Sequence, residues 1–146
     1  MEKTDRPRAS SKIIIDSPSD AVWQTISDFG AACKYSVMVT HCAVEGAGVG
    51  ALRTLTNADG STIVERLEAL DGTARRLSYA LLTDTPFRNC LTTVTVRDLG
   101  WDQCEVAWAA TFEADGIPES EAQEMLEGAF ELHGRALQRF VDVRAP

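Results

Sequence analysis

The sequence is short of long apolar runs, of basic charge and of cysteines at metal-binding spacing, and each shortage removes a class of function. Its longest early apolar run is Ile13-Ile14-Ile15, whereas a membrane-spanning helix needs about 20 residues and a secretory signal needs an apolar run after its first charges. A cytoplasmic protein with no stable membrane association is the expectation. Lys and Arg number 14 against 22 Asp and Glu, a formal net charge of −8. A general field of that sign repels phosphate backbones and anionic lipid, so no nucleic-acid partner is expected. Lys3, Arg6, Arg8 and Lys12 gather at the start, but acids interrupt them and they read as part of a flexible tail over residues 1–10. The four cysteines, Cys33, Cys42, Cys90 and Cys104, contain no CxxC pair. Cys42 beside His41 could ligate a metal together with Cys33, but the spacing matches no common site. Free buried thiols, no metal and no cofactor are expected.

What remains is an ordinary globular composition, 45% hydrophobic and 25% charged over 146 residues, enough for one domain with a real core and too little for two. Residues 11–146 are read as that single domain. Ser11 to Asp16 is a short strand with β-branched residues at its centre. Ser17-Pro18 opens a helix with Ser17 as its cap; Val22, Ile26 and Phe29 recur at helical spacing, and Gly30 stops it. Ala31 to Val39 is a second short helix or irregular turn, and His41 to Glu45 is a strand. Gly46-Ala47-Gly48-Val49-Gly50 resembles a phosphate-binding loop in its spacing, but no Lys-Ser/Thr and no helix pattern follow it, so it reads as a turn between strands.

The stretch from Gly50 to Leu70 is the most informative. Two strand-like runs flank Ala58-Asp59-Gly60, a three-residue hairpin loop closed by a glycine that suits the left-handed region. That loop sets Leu55 opposite Ile63, Arg53 opposite Glu65 and Ala51 opposite Leu67, all on one face, and leaves Thr54, Thr56, Thr62 and Arg66 on the other. An Arg and a Glu are thereby predicted to face each other on the apolar side of a sheet. Further strands follow. Leu77, Tyr79 and Leu81 point inward from one, Cys90, Thr92, Val94 and Val96 from the next, and Cys104, Val106, Trp108, Ala110 and Phe112 from the last. Asp84-Thr85-Pro86 is one of the turns between them, and Arg88, near the cavity mouth, is expected in solvent. A long helix from about Pro118 to Val141 ends the chain, its stripe of Ala122, Leu126, Ala129, His133, Ala136 or Leu137, and Phe140 widened by Met125 and Phe130.

On these residues the chain resembles the START-related helix-grip superfamily, SRPBCC, and within it the polyketide cyclase/dehydrase and lipid transport branch. The matching segments are Ile15-Asp16-Ser17-Pro18 with Val22-Trp23 and Asp28-Phe29, Cys42-Ala43-Val44-Glu45-Gly46, Glu65-Arg66-Leu67-Glu68 with Leu70-Asp71, Arg75-Arg76-Leu77-Ser78-Tyr79, and the helix from Leu126 to Phe140. The resemblance covers about residues 11 to 141. It implies an α+β helix-grip fold: a seven-stranded curved antiparallel sheet wrapped around a long C-terminal helix, with two short helices after the first strand and an apolar cavity between sheet and helix. Plant abscisic-acid receptors are distant members in which the matching glutamate points into the cavity, which implies the same for Glu65 and places Arg53 beside it. Their hormone-anchoring lysine falls at Thr40, a cavity tyrosine falls at Cys90, and a tight turn replaces their gate loop, so a receptor of that type is disfavoured.

A family of carriers, sensors and enzymes leaves the role of the site open. Arg53 and Glu65 are a structural ion pair or a polar handle on an apolar cavity. The expected ligand set is Arg53, Leu55, Ile63, Glu65, Leu67, Tyr79, Cys90, Thr92, Trp108, Leu126, Phe130 and His133. The expected partner is a small apolar or aromatic molecule, polyketide- or lipid-like. The alternative is a cyclase or dehydratase in which Glu65 takes a proton beside a ketone while Arg53 stabilises the enolate oxygen. A weaker third reading is a protein-interaction module.

Overall fold

The computed structural model describes residues 8–35, 39–83 and 85–144. Lys3 and Arg6 of the basic start, the end of the expected second helix at residues 36–38 and Asp84 of the expected turn lie outside them.

The first strand, β1, runs Arg8–Ile15, so pairing begins three residues before the predicted Ser11 and takes in the end of the expected tail. Helix α1 spans Ser19–Ser27, a 3-10 turn follows at Phe29–Ala31, and α2 is the single turn Ala32–Tyr35. Then come β2 (Val39–Glu45), β3 (Leu52–Asn57), β4 (Thr62–Asp71), β5 (Arg76–Leu81), β6 (Phe87–Gly100), β7 (Gln103–Ala114) and helix α3 (Glu119–Arg144). The strands form one sheet in the order β1-β7-β6-β5-β4-β3-β2, every neighbouring pair antiparallel. The chain thus has the expected α+β helix-grip architecture. The β2-to-β7 run is a meander of hairpins, each closed by its own turn, and β1 crosses to the far edge beside β7.

The hairpin register is the predicted one. Arg53 pairs with Glu65 and Leu55 with Ile63, and Leu67 donates its backbone N–H to Ala51 at 2.9 Å. Gly60 sits at φ 88°, the left-handed conformation the three-residue loop needs. The inward parities of β5, β6 and β7 also hold: Leu77, Tyr79, Cys90, Thr92, Val94, Val96, Cys104, Val106, Trp108, Ala110 and Phe112 are all buried.

Three local expectations change. Ser17 makes no capping hydrogen bond; Pro18 is the cap residue of α1, its carbonyl accepting from Val22 N–H at 3.2 Å. Gly30 does not end α1. The chain turns at Asp28, and Gly30 is needed because Val44 packs on it: a Cβ there would stand 2.8 Å from Val44 Cγ2. Met125 is 47% exposed, beyond the edge of the α3 stripe, while Phe130, Ala136 and Leu137 carry the contact with the sheet.

Gly134 sets how closely α3 lies on β1 and β7. A Cβ at this position would meet Ile13 Cγ2 at 3.1 Å and Trp108 Cζ3 at 3.5 Å. Gly134→Val should lower stability by about 1–3 kcal/mol through overpacking, seen as a lower urea midpoint at unchanged slope.

Candidate functional site

The inward face of β3 and β4 brings a guanidinium and a carboxylate together where the sheet curls under α1 and α2. Arg53 Nε donates to Glu65 Oε1 at 2.8 Å, and Nη2 stands 2.7 Å from the same oxygen. Nη1 donates to the Phe29 carbonyl at 3.0 Å, tying the 3-10 turn to the sheet. The guanidinium carbon lies 4.1 Å from the Phe29 ring centroid and 4.8 Å from that of Tyr79, so two π-faces cover the charge. Side-chain exposure is only 9% for Arg53 and 13% for Glu65. Burial opposes the charge on Arg53, but the Glu65 carboxylate leads the opposing interactions that hold the guanidinium above its ordinary pKa.

Around this pair lies a cavity of about 50 Å³. It is walled by Leu55, Leu77, Val94 and Trp108 from the sheet, His133 from α3, and Ile26, Ala32, Tyr35 and Val39 from the segment between β1 and β3. Both guanidinium contacts fall on Oε1. Glu65 Oε2 and the Tyr79 hydroxyl bond to no other described residue, and no fully buried polar side-chain atom among the described residues lacks a partner. Glu65 and Tyr79 both line the cavity. Burial, then Glu65, raises the Tyr79 pKa, and burial raises that of Tyr35, so both phenols stay protonated donors. His133 is pushed down to about 4, by burial first and then by the Arg53 charge, and is a neutral imidazole at pH 7.

Of the ligand residues predicted from sequence, Arg53, Leu55, Glu65, Tyr79, Trp108 and His133 line the cavity together. Leu67, Cys90, Thr92, Leu126 and Phe130 pack in or against the main core, and Ile63 joins a smaller cluster with Leu55 and Cys42; none of these six lines it. For Phe130 the reason is a stack: its ring lies on Trp108, centroids 6.4 Å apart and 16° from parallel, between α3 and β7. Sequence reasoning missed the wall formed by Ile26, Ala32, Tyr35 and Val39. Only Ile26 carried a signal, as part of the α1 stripe. Arg88 is in solvent, paired with Asp115 at 2.9 Å. A larger open groove of about 600 Å³ lies outside, between α1, α2 and α3, but its lining of Ser17, Gln24, Asp28, Lys34 and others includes none of the site residues.

No cluster of three His, Cys, Asp or Glu able to hold a metal occurs among the described residues. No helix described is long and apolar enough to cross a membrane.

Comparison with known proteins agrees with the fold. The sequence model of the family described as polyketide cyclase / dehydrase and lipid transport matches residues 6–143. Among solved structures, the protein XoxI from Bacillus cereus is 26% identical over 96% of this chain and 99% of its own, with a TM-score of 0.87. The di-domain ARO/CYC BexL is 18% identical, with a TM-score of 0.83 over 95% of this chain and 48% of its own. Norcoclaurine synthase from Thalictrum flavum, solved with dopamine and hydroxybenzaldehyde, is 16% identical, covering 95% of this chain and 88% of its own at a TM-score of 0.77. The last two likenesses concern the fold.

Proposed function

The chain belongs to the polyketide cyclase/dehydrase and lipid transport family, and from that premise we propose that it binds a small apolar or aromatic molecule bearing a hydrogen-bonding oxygen. The observation that carries the reading is Glu65 Oε2: both Arg53 contacts fall on Oε1, no other described residue bonds to Oε2, and Glu65 lines the cavity together with Tyr79. A few polar groups on a largely apolar wall are how ligand pockets fix orientation. Arg53 itself is occupied by Glu65 and the Phe29 carbonyl, so its role is to steady the carboxylate.

The volume sets a condition on this. Pockets for drug-sized ligands are about 300–1,000 Å³, whereas 50 Å³ suits water. Entry must move a wall outward, and Ile26, Ala32 and Tyr35 are the wall residues carried by the short helices α1 and α2 rather than by the sheet. Native mass spectrometry of the purified protein, followed by titration with 1-naphthol, tests the reading. Saturable binding of one probe, weakened roughly tenfold in Glu65→Gln through loss of one charge-assisted contact, is expected. A bare chain mass with no saturable binding would leave the interaction module as the better account.

The same oxygen favours a second reading, a cyclase or dehydratase. Glu65 would remove a proton beside a ketone, and the Tyr79 hydroxyl would donate to the enolate oxygen. Here Glu65→Gln should lower kcat on a poly-β-ketone by about 10²–10⁴-fold while probe binding persists. A variant that turns over like the parent rules the enzyme out.

A further inference from the structure

Outside the charged pair, the fold brings two thiols together that the sequence keeps nine residues apart. The Cys33 backbone N–H donates to Cys42 Sγ at 3.2 Å, from α2 to the edge strand β2. With an N–Cα bond of about 1.46 Å, Cys42 Sγ lies within about 4.7 Å of the Cys33 Cα. The two side chains also share a hydrogen bond, so the sulfurs already lie side by side, as a disulfide requires. Both residues are free thiols and only half-buried, unlike Cys90 at 4% and Cys104 at 0% exposure.

We propose that Cys33 and Cys42 are a redox modification site, joined into a disulfide by hydrogen peroxide, which ties α2 to β2 across the cavity wall. The Cys33 thiolate attacks a peroxide oxygen, the O–O bond breaks, and hydroxide leaves to take up the thiol proton as water. Cys33 is then a sulfenic acid. The Cys42 sulfur attacks it, the S–O bond breaks, and the oxygen departs as a second water with the Cys42 proton. Two electrons pass from the thiols to the peroxide. The order of attack follows from the surroundings: burial first, and then the hydrogen bond with the Cys33 side chain, push the Cys42 thiol up to about 11, which suits the resolving partner rather than the first nucleophile.

The closed ring, residues 33–42, contains two of the wall residues, Tyr35 and Val39, and Ala32 adjoins it. Cys42 pairs with Leu55 of the cavity on the adjoining strand. Oxidation therefore fastens the very wall whose movement the binding reading requires. Because such a bond is transient in a reducing compartment, the wall would be free when reduced and fixed under peroxide.

Trypsin cuts after Lys34, so the bond would join two separate peptides, 13–34 and 35–53. Treating the folded protein with hydrogen peroxide, blocking free thiols and mapping without reductant should show that joined pair. A rise in Tm of roughly 5–10 °C, reversed by dithiothreitol and absent in Cys33→Ser, should accompany it. Peroxide that leaves the two peptides separate, or joins them only in urea, overturns the proposal. The mapping uses no ligand, so a missing cross-link leaves the binding reading standing, and failed probe binding leaves the cross-link standing.

Discussion

Glu65→Leu should destabilise the protein by about 3–5 kcal/mol, the cost of leaving a buried ion without its partner. Arg53→Met should cost distinctly less. The asymmetry comes from chemistry: a guanidinium does not shed its charge in proteins, whereas a carboxyl can take up a proton when its partner is gone. In the Leu variant, Arg53 would keep only the Phe29 carbonyl and two ring faces, at 9% side-chain exposure. The double variant should recover much of the loss, because replacing both ions with apolar groups of similar volume is often neutral or stabilising. Urea denaturation of the four proteins closes the cycle. If Glu65→Leu and Arg53→Met cost the same small amount, the pair is more hydrated than its geometry implies. The outcome also bears on function. A pair that the fold would be more stable without is one whose presence needs another reason.

Acid should weaken the fold through His133. Its folded pKa is lowered to about 4 from an ordinary value near 6.5. The unfolded chain therefore binds the proton first, and stability is greatest above pH 6.5. The contribution, about 3 kcal/mol at 1.36 kcal/mol per pH decade, is lost as pH falls from 6.5 to about 4. The charged and titratable groups around the imidazole are Arg53 on β3, Glu65 on β4, Tyr79 on β5 and Tyr35 on α2. Arg53 is the one that adds to burial in opposing a second positive charge. His133→Gln should flatten the profile: the difference in unfolding free energy between parent and variant should shift by about 3 kcal/mol across that window. Carboxylates that titrate in the same range act in both proteins and cancel. A difference that stays constant with pH would mean the imidazole is charged and hydrated in the fold.

How far the sequence reached depends on what fixed each contact. Arg53 opposite Glu65 was legible because a three-residue loop ending in Gly60 admits one register, and in a sheet register decides which face a side chain takes. Trp108 and Tyr79 were legible for the same reason, as alternation along long strands. Tyr35 and Ala32 were not: α2 is a single turn, too short to show a period, and its orientation is set by what it packs on. Met125 was assigned inward because a helical stripe read over the whole of α3 ignores where the sheet ends beneath it. Phe130 faces the sheet as expected, yet it stacks on Trp108 and does not line the cavity. Cys33 and Cys42 carry no spacing signal, since proximity between a helix and an edge strand is a property of the fold alone.

The placement of β1 has a kinetic consequence. Strands β2 to β7 can pair in turn as neighbours along the chain, but β1 must wait for β7, which lies almost the whole domain away in sequence. The α3 helix comes later still, and Glu127 reaches back to accept from the Ser10 backbone N–H at 3.0 Å. Contacts between such distant segments form slowly, because the intervening chain must first be ordered. The chamber around Glu65, which His133 of α3 helps to wall, should therefore close late in folding. Refolding from urea with a probe already present would load it before any wall had to open.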